Sequence, residues 1–167
     1  RGITPKVYAI KESNGINTEH LQYFGNSIDT VQRKLAVQQM DYLLNVFRDA
    51  KEYGSVLNIE NCNWELLYRF VDDLNFNGQI TLDNVSAEQS QLEIKELVAN
   101  AEILYQKYDV VVSNPPYMGG TMNTKLADYL KREYNDVKSD LFATFIIKCK
   151  KMSKENGLYA MVVPESW

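Results

Sequence analysis

Two cysteines and one histidine among 167 residues leave this sequence short of metal-binding and redox chemistry. Cys62 and Cys149 lie far apart, no Cys-x-x-Cys occurs, and His20 falls in a polar, loop-like stretch. That spacing provides neither a zinc site nor a disulfide framework, so no metal is expected and both thiols read as small buried or half-buried side chains. No apolar run approaches the roughly 20 residues needed to cross a bilayer. The first ten residues lack the apolar core and small-residue cleavage site of a secretory leader. The chain therefore reads as cytoplasmic.

Charge of one sign is also scarce. The net charge of −4 argues against a free-standing module that holds nucleic acid by charge alone. Its distribution is uneven: residues 1–118 carry 10 basic and 16 acidic side chains, and residues 119–167 carry 8 and 6. DNA binding is thus neither required nor forbidden, and any strong basic surface would have to come from elsewhere. There is no internal repeat and no low-complexity tract. None of the eight glycines forms a Gly-x-Gly after a strand.

What is present is ordinary globular material, 45% hydrophobic and 24% charged, long enough for one domain with a core. The patterning predicts a strand over 5–10, a polar loop over 11–25 and a long helix over 27–53 ended by Gly54. Ile28, Val31, Leu35, Leu43, Leu44 and Phe47 form the apolar stripe of that helix. A strand over 55–59 follows, then a helix over 64–74 capped by Asn63, with Leu66, Leu67, Phe70 and Leu74 inward. Asn77-Gly78 marks a turn before a helix over 86–107.

The register then changes. Tyr108–Ser113 (YDVVVS) is a continuous β-branched run of the kind that forms a strand buried on both faces. Helices are expected near 125–134 and over 140–156, the latter capped by Ser139 and ended by Gly157. A second buried strand follows over 158–163. Strand, crossover helix and strand make a βαβ unit, so the class is α/β with a parallel sheet and flanking helices. In such folds, residues just after a strand lie at the carboxyl edge of the sheet, where ligands bind.

The residues placed there are Asn114-Pro115-Pro116-Tyr117. Pro116 fixes its own φ and restricts Pro115 to extended conformations, which holds the carbonyls rigidly. An exocyclic amine on a base could give its two hydrogens to the Asn114 side-chain oxygen and the Pro115 carbonyl. Both partners accept, so the nitrogen is pushed from planar toward tetrahedral and its lone pair becomes available to an electron-poor methyl group. Orientation and fixed dipoles would supply most of the rate. Tyr117 would stack on the ring of a base turned out of the duplex. The alternative is a stiff turn in which Asn114 satisfies its own backbone.

Asp109–Tyr117 (DVVVSNPPY) resembles motif IV of the amino-group DNA methyltransferases, specifically the adenine-N6 group. Ser139–Trp167 resembles the segment that follows this motif in the γ-type order. NPPYMGG with SDLFATFI resembles the adenine-specific methyltransferases of phage-growth-limitation and BREX defence systems. The resemblance is firm over 108–167.

It implies a Rossmann-like fold, S-adenosyl-L-methionine (AdoMet) as cofactor, and a flipped adenine in DNA as acceptor, bound through a full-length protein that could also meet other defence-system subunits. It implies that Asn114 and Pro115 bind the N6 amine, that Pro116 holds the loop and that Tyr117 stacks. Phe142 matches an aromatic that lines the cofactor pocket, and Asn63 falls where an acidic residue meets the cofactor adenine.

The glycine-rich cofactor loop of that family has no counterpart here; Gly119-Gly120 follows the motif instead of preceding it. With no initiator methionine and a last residue just past a strand, residues 1–167 are expected to be an internal fragment of one methyltransferase catalytic domain. The early cofactor-loop strand would be missing. Such a fragment would be inactive alone and prone to self-association through an open sheet edge. Two other readings share these residues: a methyltransferase acting on a glutamine side chain or an RNA guanine amine, and a non-enzymatic interaction module of a defence complex.

Overall fold

The computed structural model describes residues 2, 4–76, 82–116, 122–137 and 140–162, with 82–84 described by backbone alone. The turn expected at Asn77-Gly78 lies outside these residues, as do Tyr117, Gly119-Gly120 and Ser139. The chain divides into two compact units, Arg1–Lys51 with Ile59–Ile103, and Glu52–Asn58 with Leu104–Trp167.

The first unit is helical. Asp29 starts helix α1 (Thr30–Val46) by accepting from the amides of Val31 and Gln32. Its buried face is Ala36, Met40, Leu43 and Leu44; of the stripe expected from sequence, Ile28, Leu43, Leu44 and Phe47 are buried, while Ala36 and Met40 face inward where Val31 and Leu35 were expected. Val31 is 80% exposed and Leu35 is also exposed. The helix does not run on to residue 53. Asp49 adopts φ +56°, and Asn14 holds it there by accepting from its amide and donating to its carboxylate. Aspartate enters this left-handed region more readily than most residues, so it breaks the helix without a glycine or proline to announce it. The short helix α2 (Ala50–Tyr53) follows the break.

Helix α3 (Trp64–Asp72) buries Leu66, Leu67, Phe70 and Val71, with Phe24 set edge-on to Phe70. Gly25, at φ +65°, lies so close to the Phe70 ring that a side chain there would collide with it. Helix α4 (Leu82–Tyr105) buries Ala87, Ile94, Leu97, Val98 and Ala101. Two other expectations change here. Residues 5–10 are largely exposed and belong to no strand. His20 sits not in a loop but on a 3-10 turn, Thr18–Tyr23, where it is buried with its Nδ1 2.8 Å from Ser90 Oγ.

The second unit holds the sheet. Strand β1 (Tyr108–Ser113) pairs in parallel with β2 (Ser153–Met161), and helices α5 (Thr124–Glu133) and α6 (Leu141–Met152) lie between them in sequence. The expected βαβ unit is therefore present. The strand expected over 55–59 is instead a 3-10 turn, Gly54–Val56, leading into irregular chain.

Helix α6 ends at Met152, five residues before the expected glycine, with Ser153 Oγ donating to the Cys149 carbonyl. Gly157 is already part of β2, and a Cβ there would stand 2.9 Å from the Tyr108 carbonyl oxygen. It permits a close approach of two backbones rather than ending a helix.

Helix α6 packs on both strands. The opposite face was expected to be buried as well, and it is not. Val110 and Val112 are 59% and 74% exposed, and Leu158, the partner of Val110, is 71% exposed. Alternation along paired strands puts these three side chains on one face. Among the described residues nothing covers it.

Candidate functional site

Asn114 follows β1 directly, and the carbonyl of the preceding Ser113 accepts from Val162 N at 3.3 Å. The sheet pairing thus continues to the point where the motif begins. Asn114 is exposed, Pro115 is buried and Pro116 is exposed. A buried proline between two exposed residues pins the exit of the strand while leaving the amide of Asn114 open to a ligand. Among the candidate residues, Tyr117 lies outside the described part.

Both helices after the motif start with a side-chain cap. Asn123 Oδ1 accepts from Leu126 N at 2.8 Å to open α5, and Asp140 Oδ1 accepts from Phe142 N at 2.9 Å to open α6. Because α6 ends where β2 begins, it runs back along the strands, so its first turn lies toward their carboxyl ends. Phe142 is in that turn and is buried. It therefore shares an edge of the sheet with Asn114. Asp140 was not expected as the cap, a role the sequence pattern gave to Ser139.

Asn63 belongs to the first unit. Its side-chain oxygen accepts from Leu66 N at 3.1 Å, and its own amide donates to Gln39 Oε1 at 3.0 Å. The capping role read from sequence is present, and it occupies the side-chain oxygen while the amide hydrogens stay out of the cap. Asn63→Ala is expected to lower the stability of the protein by about 1 kcal/mol, measured by denaturant unfolding. Asn63→Asp, which keeps the capping oxygen, should recover most of that loss.

The sequence reading passed over Lys148. It sits within an apolar stretch of α6, is 4% exposed, and donates to the carbonyls of Leu57 at 2.5 Å and Leu104 at 3.4 Å. Burial pulls its pKa from the ordinary 10.5 down to about 8, and the nearby cations Lys151 and Lys107 add to the effect. The only signal in the sequence is a lysine between Ile147 and Cys149 on the inward side of an amphipathic helix. The thiols of Cys62 and Cys149 are both buried, and burial raises the pKa of each.

Residues 20–167 match the model of the Eco57I restriction-modification methylase family. The chain is 35% identical over 140 residues to the adenine-specific methyltransferase BrxX of Escherichia coli O9:H4 (strain HS), an alignment that spans 83% of this chain and 11% of that protein. It is 34% identical over 128 residues to the adenine-specific methyltransferase PglX of Lacticaseibacillus casei (strain Zhang), spanning 75% of this chain and 11% of that protein. The chain therefore spans about a tenth of the length of these curated relatives. With the family model covering most of its length, the chain belongs to the Eco57I restriction-modification methylase family.

Proposed function

We propose that the protein transfers a methyl group from AdoMet to the N6 amine of adenine in DNA, as host marking in a restriction or phage-defence system. The observation that carries this reading is the place of Asn114-Pro115: an exposed amide and a buried proline directly after β1 of a parallel βαβ unit. In this reading the Asn114 oxygen and the Pro115 carbonyl accept the two amine hydrogens of a flipped adenine. Pro116 stiffens the turn, and Tyr117 stacks on the base. The lone pair so freed is oriented toward the methyl donor, and fixed dipoles rather than a strong base supply the rate.

AdoMet, when bound, supplies the electron-poor methyl group. On the side of this chain, the fit rests on Phe142, an apolar aromatic in the α6 turn nearest the carboxyl ends of the strands. A glycine-rich cofactor loop would come from the longer protein. A Rossmann-like sheet also accounts for the bare face of β1 and β2, because parallel sheets are normally covered on both faces.

The test is methyl transfer from labelled AdoMet by the full-length protein, offered DNA, ribosomal RNA and a release factor together. Label recovered as N6-methyladenine in DNA supports the reading. Label confined to RNA guanine or to a glutamine side chain would replace it with one of the other amine-methylating activities. Absence of label from all three would favour an interaction module.

A further inference from the structure

Residues 52–58 leave the first half of the sequence to join the second unit, and there they take hold of α5 at both ends. At the start of the helix, the capping residue Asn123 donates from Nδ2 to Glu52 Oε2 at 2.8 Å. At its end, the hydroxyl of the capping residue Tyr134 lies 2.7 Å from the Val56 carbonyl oxygen and 2.9 Å from Asn58 Oδ1, which share its single proton. Between them, the Asn58 amide donates to the Tyr129 hydroxyl at 2.8 Å, and Tyr53 stacks on the Tyr129 ring at 4.7 Å.

Apolar burial alone does not fix a ten-residue helix along its axis, because the hydrophobic effect has no direction. Hydrogen bonds at both ends do fix it. Among the described residues α5 is also the first helix after Asn114-Pro115-Pro116, and its cap, Asn123, stands seven residues past Pro116.

We propose that residues 52–58 form a brace that sets where the chain returns from the Asn114-Pro115-Pro116 turn, making Glu52 and Asn58 positioning residues for the methyl-acceptor site. This rests on the reading of Asn114-Pro115 as that site. Glu52 is the cleaner probe, because it is exposed and its loss leaves no buried group unpaired.

The experiment compares the full-length protein with its Glu52→Ala, Glu52→Gln and Tyr134→Phe variants. It records hydrogen exchange at the amides of 122–130, the unfolding midpoint, and kcat and KM for adenine methylation. A displacement of the acceptor site of the order of 1 Å can cost up to about 100-fold in rate, and removal of one of several braces is expected to lower kcat by about tenfold.

The expected result for Glu52→Ala is faster exchange at Leu126 and Ala127 and a lower kcat, with KM for AdoMet and the unfolding midpoint unchanged. Glutamine, which keeps an acceptor for Asn123, should restore both. Tyr134→Phe should speed exchange at the other end of α5. Unchanged exchange in Glu52→Ala overturns the brace; faster exchange with unchanged kcat overturns its positioning role. If the unmodified protein fails to label adenine, the acceptor-site reading has failed, and the exchange measurement alone still decides whether 52–58 holds α5.

Discussion

Asn114→Ala in the full-length protein is expected to lower methyl transfer to DNA adenine by about 10²–10³-fold, the range seen when one preorganised hydrogen-bond partner is removed from a reaction centre. Two acceptors face the two amine hydrogens in the proposed site, and this substitution removes one while the Pro115 carbonyl remains. An amine held by one hydrogen can turn back toward the plane of its ring, where its lone pair is delocalised and unreactive. The loss should fall on kcat, with KM for AdoMet unchanged, because the missing interaction acts on the amine and not on the cofactor. Asn114 is exposed, so the unfolding midpoint should move by no more than about 0.5 kcal/mol in equivalent stability. Asn114→Asp keeps an acceptor oxygen and should retain part of the activity. Label arriving in adenine at the unmodified rate in Asn114→Ala would remove this residue from the mechanism.

The strand leading into that residue and two capped helices were the most legible elements. YDVVVS stands as β1 with the expected boundaries, and the helices around 64–74 and 125–134 appear within about two residues of expectation, because each combines a strong pattern with a side-chain cap. The failures have separate physical causes. The break after α1 comes from Asp49 in the left-handed region, held by Asn14 from 35 residues away. A local pattern carries no trace of such a partner. Gly157 looked like a helix stop because glycine serves there often, whereas here it admits the Tyr108 carbonyl.

His20 looked loop-borne because its sequence neighbours are polar, yet it lies on a 3-10 turn and Ser90, 70 residues later, gives it a buried partner. The apolar run of β1 was read as buried on both sides, and one of its faces is bare within these residues. For the candidate site, the motif itself was visible. The contacts of Glu52 and Asn58 with α5 were not, because they join residues 71 to 76 positions apart.

Lys148→Met is expected to change how the stability of the protein depends on pH. In the folded protein the ammonium is almost wholly buried against two neutral carbonyls, and its pKa falls to about 8, while in the unfolded chain it returns to about 10.5. Below about pH 8 both states carry the proton, and the folded state bears the full cost of a buried charge. Between about 8 and 10.5 the unfolded chain binds more protons than the folded one, so stability rises with pH across that window. A shift of this size corresponds to an upper value of about 3 kcal/mol.

Methionine removes the charge and the titration but leaves the Leu57 and Leu104 carbonyls without this donor, at a cost of about 1–3 kcal/mol. These two changes oppose each other at neutral pH, so a single measurement at pH 7 is expected to show little difference. The diagnostic quantity is the slope. Denaturant unfolding from pH 7 to 10 should show the unmodified protein gaining stability relative to Lys148→Met, with most of the gain above pH 8. Parallel curves for the two proteins would mean that Lys148 keeps its ordinary pKa, and hence that water or an anion reaches a side chain placed here inside the unit.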